Sequence, residues 1–200
     1  GAVNVNTTPS VQYVYTEMAG GQNNSRIISM TYPSGYVVNY NYTGFDATIS
    51  RLTSLSDSAN TLESYKYLGV GTVVERDHPQ NNVNLTYISQ TGGTGDAGDQ
   101  YIGLDRFGRV AEQNWYNANT HSSTDDFKYS YDRNSNVLSR TNVLDTIFSE
   151  GYSYDNLNQL TSFTRGTHTQ SWTPDALGNF TSVVTDGTTQ TRTANQQNEI

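Results

Sequence analysis

The residues best suited to chemistry in this 200-residue chain are acidic. Asp96, Asp99 and Asp105 sit in and just after a glycine-rich stretch, and clustered carboxylates of this kind are what a hard cation such as calcium takes as ligands. The same stretch holds Gly93-Thr-Gly95-Asp-Ala-Gly98, the spacing of a dinucleotide-binding turn. That turn needs a strand before it and a helix after it, so that the helix N-terminus faces the phosphates. Here Asp99-Gln-Tyr-Ile-Gly-Leu-Asp105 reads as a turn and a strand, so phosphate binding is set aside. Two carboxylate pairs, Glu75/Asp77 and Asp125-Asp126, have the make-up of a glycosidase acid and base. On exposed strands and turns such pairs read as solvated charge. His78, His121 and His168 are more than 40 residues apart and form no zinc spacing. With no cysteine and no Gly-x-Ser-x-Gly elbow, nucleophilic hydrolysis has no support. Trp115 and Tyr116, flanked by Asn114 and Asn117, are the aromatics best placed to contact a glycan or a partner. No catalytic residue and no cofactor follow from these patterns.

Composition narrows the classes further. Leu, Ile, Val and Phe number 39, just under one residue in five, and the net charge is -8. Those values lie on the border of disorder. Ser, Thr and Asn make up about a third of the chain. A coiled coil is excluded because Ala, Glu, Lys and Leu are scarce. Eleven basic residues stand against 19 acidic ones with no basic run, so a nucleic-acid backbone is not an expected partner. No apolar run approaches the ~20 residues of a membrane span, and residues 1–20 hold no signal-peptide pattern. The absence of cysteine leaves out a disulfide framework. Order must come from the 15 tyrosines, each of which removes roughly 150–250 Å² from water when buried.

Helix signals are nearly absent, and 48–68 is a poor amphipathic candidate because of its serines and threonines. Short alternating runs such as Val11–Tyr15, Arg26–Met30 and Tyr36–Tyr42, separated by Gly, Pro, Asn and Asp, read as strands of consecutive hairpins. An internal repeat organises them. Tyr152-Ser-Tyr154-Asp155-Asn-Leu-Asn158-Gln-Leu160 has the layout of Tyr129-Ser-Tyr131-Asp132-Arg-Asn-Ser135-Asn-Val137 and of Trp172-Thr-Pro174-Asp175-Ala-Leu-Gly178-Asn-Phe180. Ile102-Gly-Leu104-Asp105-Arg-Phe-Gly108-Arg-Val110 fits with aliphatics, and Tyr65-Lys-Tyr67-Leu68-Gly-Val-Gly71-Thr-Val73 fits with Leu in place of Asp. Asn195–Ile200 repeats the turn portion alone. Turn positions fall 37, 27, 23, 20 and 20 residues apart, a period near 20 with insertions. Aromatics two apart share one face of a strand. The Asp that follows accepts backbone N–H groups and opens a turn. Three residues on, Gly, Asn or Ser takes the positive φ a tight turn needs.

The register resembles the YD repeat of the RHS family, named for the pair seen here at Tyr131-Asp132 and Tyr154-Asp155. Tyr32-Pro-Ser-Gly-Tyr-Val-Val-Asn-Tyr-Asn-Tyr42 and Tyr65–Val74 are also similar to recurrent phrases of that family. The resemblance covers about 26–200. It implies a continuous hairpin sheet wound into a hollow shell, which in bacterial polymorphic toxins and toxin-complex subunits encloses a C-terminal cargo and in teneurins forms part of an adhesion protein. The family's aspartyl self-cleavage core has no counterpart here. The N-terminal units depart further, with Thr43 or Pro33 where the turn Asp would stand.

The expected fold is therefore all-β: a YD-repeat array of antiparallel hairpins winding into a curved sheet, a partial shell or spiral. Residues 1–25 are assigned to an N-terminal strand segment or edge and 26–200 to the repeat region, with an extended loop at 91–100. The repeat residues themselves (Tyr65, Tyr67, Gly71, Asp105, Gly108, Tyr129, Tyr131, Asp132, Tyr152, Tyr154, Asp155, Asn158, Trp172, Asp175, Gly178) are expected to be structural. The expected role is non-enzymatic, scaffolding or enclosing the remainder of a larger polypeptide or its cargo domain. The alternative is a carbohydrate- or protein-binding module acting through Trp115 and Tyr116. Self-association through sheet edges is a further expectation. The resemblance alone implies a secreted or cell-surface bacterial protein.

Overall fold

The computed structural model of the chain describes residues 8–16, 25–88, 103–193 and 195. Fifteen strands run through them, and every pairing recorded between them is antiparallel. The chain divides into two compact units, one of residues 1–101 and 115–122, the other of 102–114 and 123–200.

The first unit holds β1 (Gln12–Tyr15), β2 (Ile27–Thr31), β3 (Val37–Asn41), β4 (Ser54–Ser56), β5 (Thr61–Leu68), β6 (Thr72–His78) and β7 (Val83–Thr86). Each pairs with its chain neighbour. A five-residue helix, α1 (Gly44–Thr48), fills the connection between β3 and β4. Strands β8 (Glu112–Asn117) and β9 (Ser122–Tyr131) contribute residues to both units. The second unit continues with β10 (Val137–Asn142), β11 (Glu150–Tyr154), β12 (Leu160–Arg165), β13 (His168–Pro174), β14 (Phe180–Thr185) and β15 (Thr188–Thr191), again paired neighbour to neighbour. A 3-10 turn at Thr146–Phe148 joins β10 to β11.

The sequence explains why hairpins succeed one another. Threonine, valine and tyrosine fit a pleated half-buried surface, and short polar turns return the chain within a few residues. At Asp186-Gly187 both residues have positive φ, 48° and 81°, as the two-residue turn between Thr185 and Thr188 requires.

A bulge recurs on the strand that returns from the repeat turn. The register slips between the partners Tyr67↔Val73 and Lys66↔Glu75, and does so again at Tyr131↔Val137, Tyr154↔Leu160 and Pro174↔Phe180. The extra residue is Val74, Leu138, Thr161 or Thr181. A bulge interrupts strict alternation, which is why the consecutive residues Val74 and Glu75 are both buried.

The apolar core is sparse. Among the described residues, Val38, Val74 and Val183 are the buried hydrophobics. The aromatics do the remaining packing at half-burial. Tyr65 and Tyr67 stand 6.2 Å apart on β5, cross-strand partners Tyr152 and Phe163 are 5.8 Å apart, and Trp172 lies 6.2 Å from Phe180. Tilted pairs at such distances contribute about 0.5–1.5 kcal/mol beyond area burial.

Candidate functional site: a row of aspartate turns and an arginine cleft

Four turns of the second unit share one construction. In each, an Asp Oδ1 accepts the backbone N–H groups two and four residues on. For Asp105 these are Phe107 and Arg109 at 2.8 and 2.9 Å; for Asp132, Asn134 and Asn136 at 2.9 and 2.8 Å. For Asp155 they are Leu157 and Gln159, and for Asp175 Leu177 and Asn179, at 2.8 and 2.9 Å in both cases. The backbone closes the same loop each time: the Asp N–H donates to the carbonyl four residues on, and its own carbonyl accepts the N–H three residues on. That third residue has positive φ, namely Gly108 at 77°, Ser135 at 70°, Asn158 at 62° and Gly178 at 86°.

The second oxygen is engaged too. Arg109 Nε donates to Asp105 Oδ2 at 2.6 Å, Asn136 Nδ2 to Asp132 Oδ2 at 2.8 Å and Asn179 Nδ2 to Asp175 Oδ2 at 3.1 Å. Donation from the Asn136 and Asn179 amides, followed by the backbone N–H groups, holds Asp132 and Asp175 below the usual carboxylate range. At Asp105 burial opposes ionisation, but the N–H donors and the Arg109 guanidinium outweigh it and the pKa is lowered.

Neighbouring turns contact one another. Arg109 Nη1 donates to the Asp132 carbonyl at 3.3 Å and to Ser135 Oγ at 3.1 Å. Asn134 and Asn136 both donate to Asn158 Oδ1, at 2.9 and 2.8 Å. Gln159 Nε2 lies close enough to Gly178 that a Cβ there would meet it at 3.8 Å. The turns thus form a row along one margin.

The N-terminal units follow a different register from the one expected. At Tyr32–Tyr36 the same backbone loop forms, with Gly35 at φ 83°, so Tyr32 rather than Pro33 stands at the Asp position. Thr43 is instead the residue before α1. In the β5–β6 turn the left-handed residue is Gly69, at φ 60°, and Gly71 is not left-handed. Without an Asp to collect the N–H groups, that turn closes tightly on the Leu68↔Thr72 pair.

A second device went unread in the sequence. The Arg109 guanidinium lies over the Tyr131 ring, and the Arg51 guanidinium over Tyr67 in the first unit. In both places the arginine Nε also donates to an aspartate, Asp105 or Asp46, at 2.6 Å. At Tyr67 and Tyr131 the second repeat tyrosine is therefore a platform for an arginine from the preceding segment. Tyr129 reaches Gln113 Oε1 at 3.4 Å, and Tyr154, two residues from Tyr152, is half-buried beside the turn of Asp155.

The carboxylate pairs are not solvated charge. Glu75 is 1% exposed and pairs with Lys66; Asp126 is 6% exposed. Strand alternation turns Asp126 inward on β9, where it meets Glu112 of β8. Burial, then the Glu112 charge, pushes the Asp126 carboxyl up to about 6. Burial and then Glu75 likewise raise Asp77. None of these groups is among the residues that line the cleft described below.

Trp115 and Tyr116 are half-buried. Trp115 stacks against His78 at 6.1 Å, and the Tyr116 hydroxyl lies 3.2 Å from His121 Nδ1. His168 pairs with Asp186 at 3.1 Å, so each of the three histidines has a different partner. Asp96 and Asp99 lie outside the described residues, as do all of 91–100 and 196–200. Asp105 spends both oxygens on its own turn, and among the described residues no group of three metal-binding side chains forms.

The first two turns of the row enclose an open cleft of about 280 Å³ lined by Arg106, Phe107, Arg109, Tyr131, Asp132 and Arg133. Phe107 projects 68% exposed at the turn tip, with Arg106 and Arg109 at 5.0 and 5.2 Å from its ring centre. No helix among the described residues is long and apolar enough to cross a membrane.

No protein-family model matches the chain, and no curated protein does. Solved structures do. The chain is similar to a Tc holotoxin pore of Photorhabdus luminescens, at 18% identity and a TM-score of 0.59, over 80% of this chain and 8% of that one. It is similar also to a crystal structure of TcdB2-TccC3, at 18% identity and a TM-score of 0.60, over 80% of this chain and 9% of that one. TcdB2-TccC3 without its hypervariable C-terminal region matches at 17% identity and a TM-score of 0.64, over 86% and 9%. The likeness shows a shared all-β hairpin fold. The chain spans under a tenth of the length of those chains.

Proposed function

We infer that the chain is a wall segment of an RHS-type shell, built of YD repeats, that encloses or scaffolds another part of a long exported bacterial polypeptide. The observation that carries this reading is the row of four aspartate turns with the same Oδ1 and backbone bonds, at Asp105, Asp132, Asp155 and Asp175. A repeated turn with turn-to-turn contacts fixes the spacing of successive hairpins, and a sheet of this kind extends by adding units rather than by thickening a core. The Tc toxin structures, whose fold the chain resembles, support the same role. No reaction is assigned to the segment: one carboxylate of each pair, Glu75 or Asp126, is buried, and the aspartates of the row accept the N–H groups of their own turns.

Limited proteolysis of the intact natural polypeptide tests the reading. An enclosed region should survive a protease that rapidly degrades the same region made alone. Equal cleavage rates in the two contexts would exclude enclosure.

A further inference from the structure

On a chain of net charge -8, the cleft between the turns of Asp105 and Asp132 is a place of inverted sign. Three of the eleven basic residues, Arg106, Arg109 and Arg133, line it. The carboxylates of the two flanking turns are taken up there by N–H donors, the Asn136 amide and Arg109. Arg109 is committed to Asp105, to the Tyr131 face and to the next turn. Arg106 and Arg133 are exposed, and among the described residues no carboxylate forms an ion pair with either. Beside Arg106 stands Phe107, after Phe45 the most solvent-exposed aromatic among the described residues.

Two exposed guanidinium groups without a carboxylate partner, in a cleft that an exposed ring also lines, make a specific kind of surface. A guanidinium binds carboxylate through two parallel N–H bonds, and an exposed ring gains by covering itself with apolar surface. Arginine and aromatic residues are also the types that concentrate binding energy at interfaces. A ligand matching both must carry carboxylates and an apolar side chain within a few residues of each other. We propose that this cleft docks an acidic peptide segment, with Arg106 and Arg133 taking its carboxylates and Phe107 taking an adjacent apolar side chain. The proposal deepens the wall reading, because it names the chemistry of the polypeptide that would lie against the segment.

Fluorescence anisotropy on the 200-residue chain tests it, with labelled peptides of alternating Glu and Phe and of alternating Lys and Phe as probes. The acidic peptide should bind, weaken as salt is raised, and outbind the basic one at least tenfold. The double variant Arg106→Glu/Arg133→Glu should lose at least tenfold in affinity with an unchanged melting temperature, since neither side chain holds a turn together. Equal binding of the two peptides overturns the proposal, and so does full affinity in the double variant. Binding of a labelled carboxylated oligosaccharide, with no acidic-peptide binding, would also overturn it by assigning the cleft to another class of anion. None of these outcomes alters protease protection in the intact polypeptide, so this docking site and the enclosure reading fail separately.

Discussion

Arg109 lies over Tyr131 with its guanidinium carbon 4.4 Å from the ring centroid, and the Tyr131 hydroxyl donates to the carbonyl of Val110, the residue after that arginine, at 2.7 Å. The same pair of contacts, with the same two distances, joins Arg51, Tyr67 and Leu52 in the first unit. In these two hairpins the second tyrosine is thereby held to the segment before it through its ring face and its hydroxyl. Replacing Arg109 by Ala removes the stack and the ion pair. The expected loss is about 1–2 kcal/mol, from a partly exposed cation–π contact plus charged hydrogen bonds, read as a lower urea midpoint. Arg106→Ala, which touches only Phe107, should shift the midpoint by less than about 0.5 kcal/mol. Equal effects would mean that the stack contributes nothing particular.

Asp155 collects two backbone N–H groups that otherwise lack an acceptor in the turn. Asp155→Ala should cost about 1–2 kcal/mol, the range for losing a local cap of this kind. Asp155→Asn keeps an acceptor oxygen and should lose less. Thermal unfolding of both variants checks the order; Asn as damaging as Ala would show that charge, not turn geometry, is what the aspartate supplies.

Ser135 and Gly178 occupy the same turn position at φ 70° and 86°. Because a Cβ is strained there, Ser135→Gly should stabilise the chain and Gly178→Ala should destabilise it, each by about 1 kcal/mol. The opposite signs are the measurement. Two changes of the same sign would contradict the assignment of one turn to both sites.

The pH dependence follows from two groups of opposite shift. Asp126 titrates near 6 in the folded chain, above the unfolded value near 3.9. Its stabilising share is present below that unfolded value and disappears as pH rises through about 6. Asp132 and Asp175 are depressed, so their share is present above the ordinary carboxylate range and is lost as pH falls through their folded values. Stability should therefore peak in mildly acidic solution. Asp126→Asn should raise the melting temperature at pH 7.5 and change it little at pH 4. A variant no more stable than the parent at pH 7.5 would show that Asp126 does not carry a buried charge.

The hairpins and the Asp-led turns were legible because everything that specifies them lies within five residues: an acceptor, two donors and one residue tolerant of positive φ. Where the Asp is missing the reading slipped, to Pro33 instead of Tyr32 and to Gly71 instead of Gly69, since glycine and proline spacing alone fits more than one turn. The arginine stacks were hidden for a different reason. Arg51 and Tyr67 are 16 residues apart and Arg109 and Tyr131 are 22 apart, so connections of unequal length mask the shared device. The buried acids were misread because their orientation depends on bulges and on cross-strand neighbours. Asp125 and Asp126 differ only in which face of β9 they occupy, and Val74 breaks the alternation just before Glu75.

An electron cryomicroscopy map of the intact natural polypeptide tests the wall reading most directly. It should place the turns of Asp105, Asp132, Asp155 and Asp175 in one unbroken row within a sheet that closes around other density of the same polypeptide. A sheet with solvent on both faces and nothing enclosed would contradict the account.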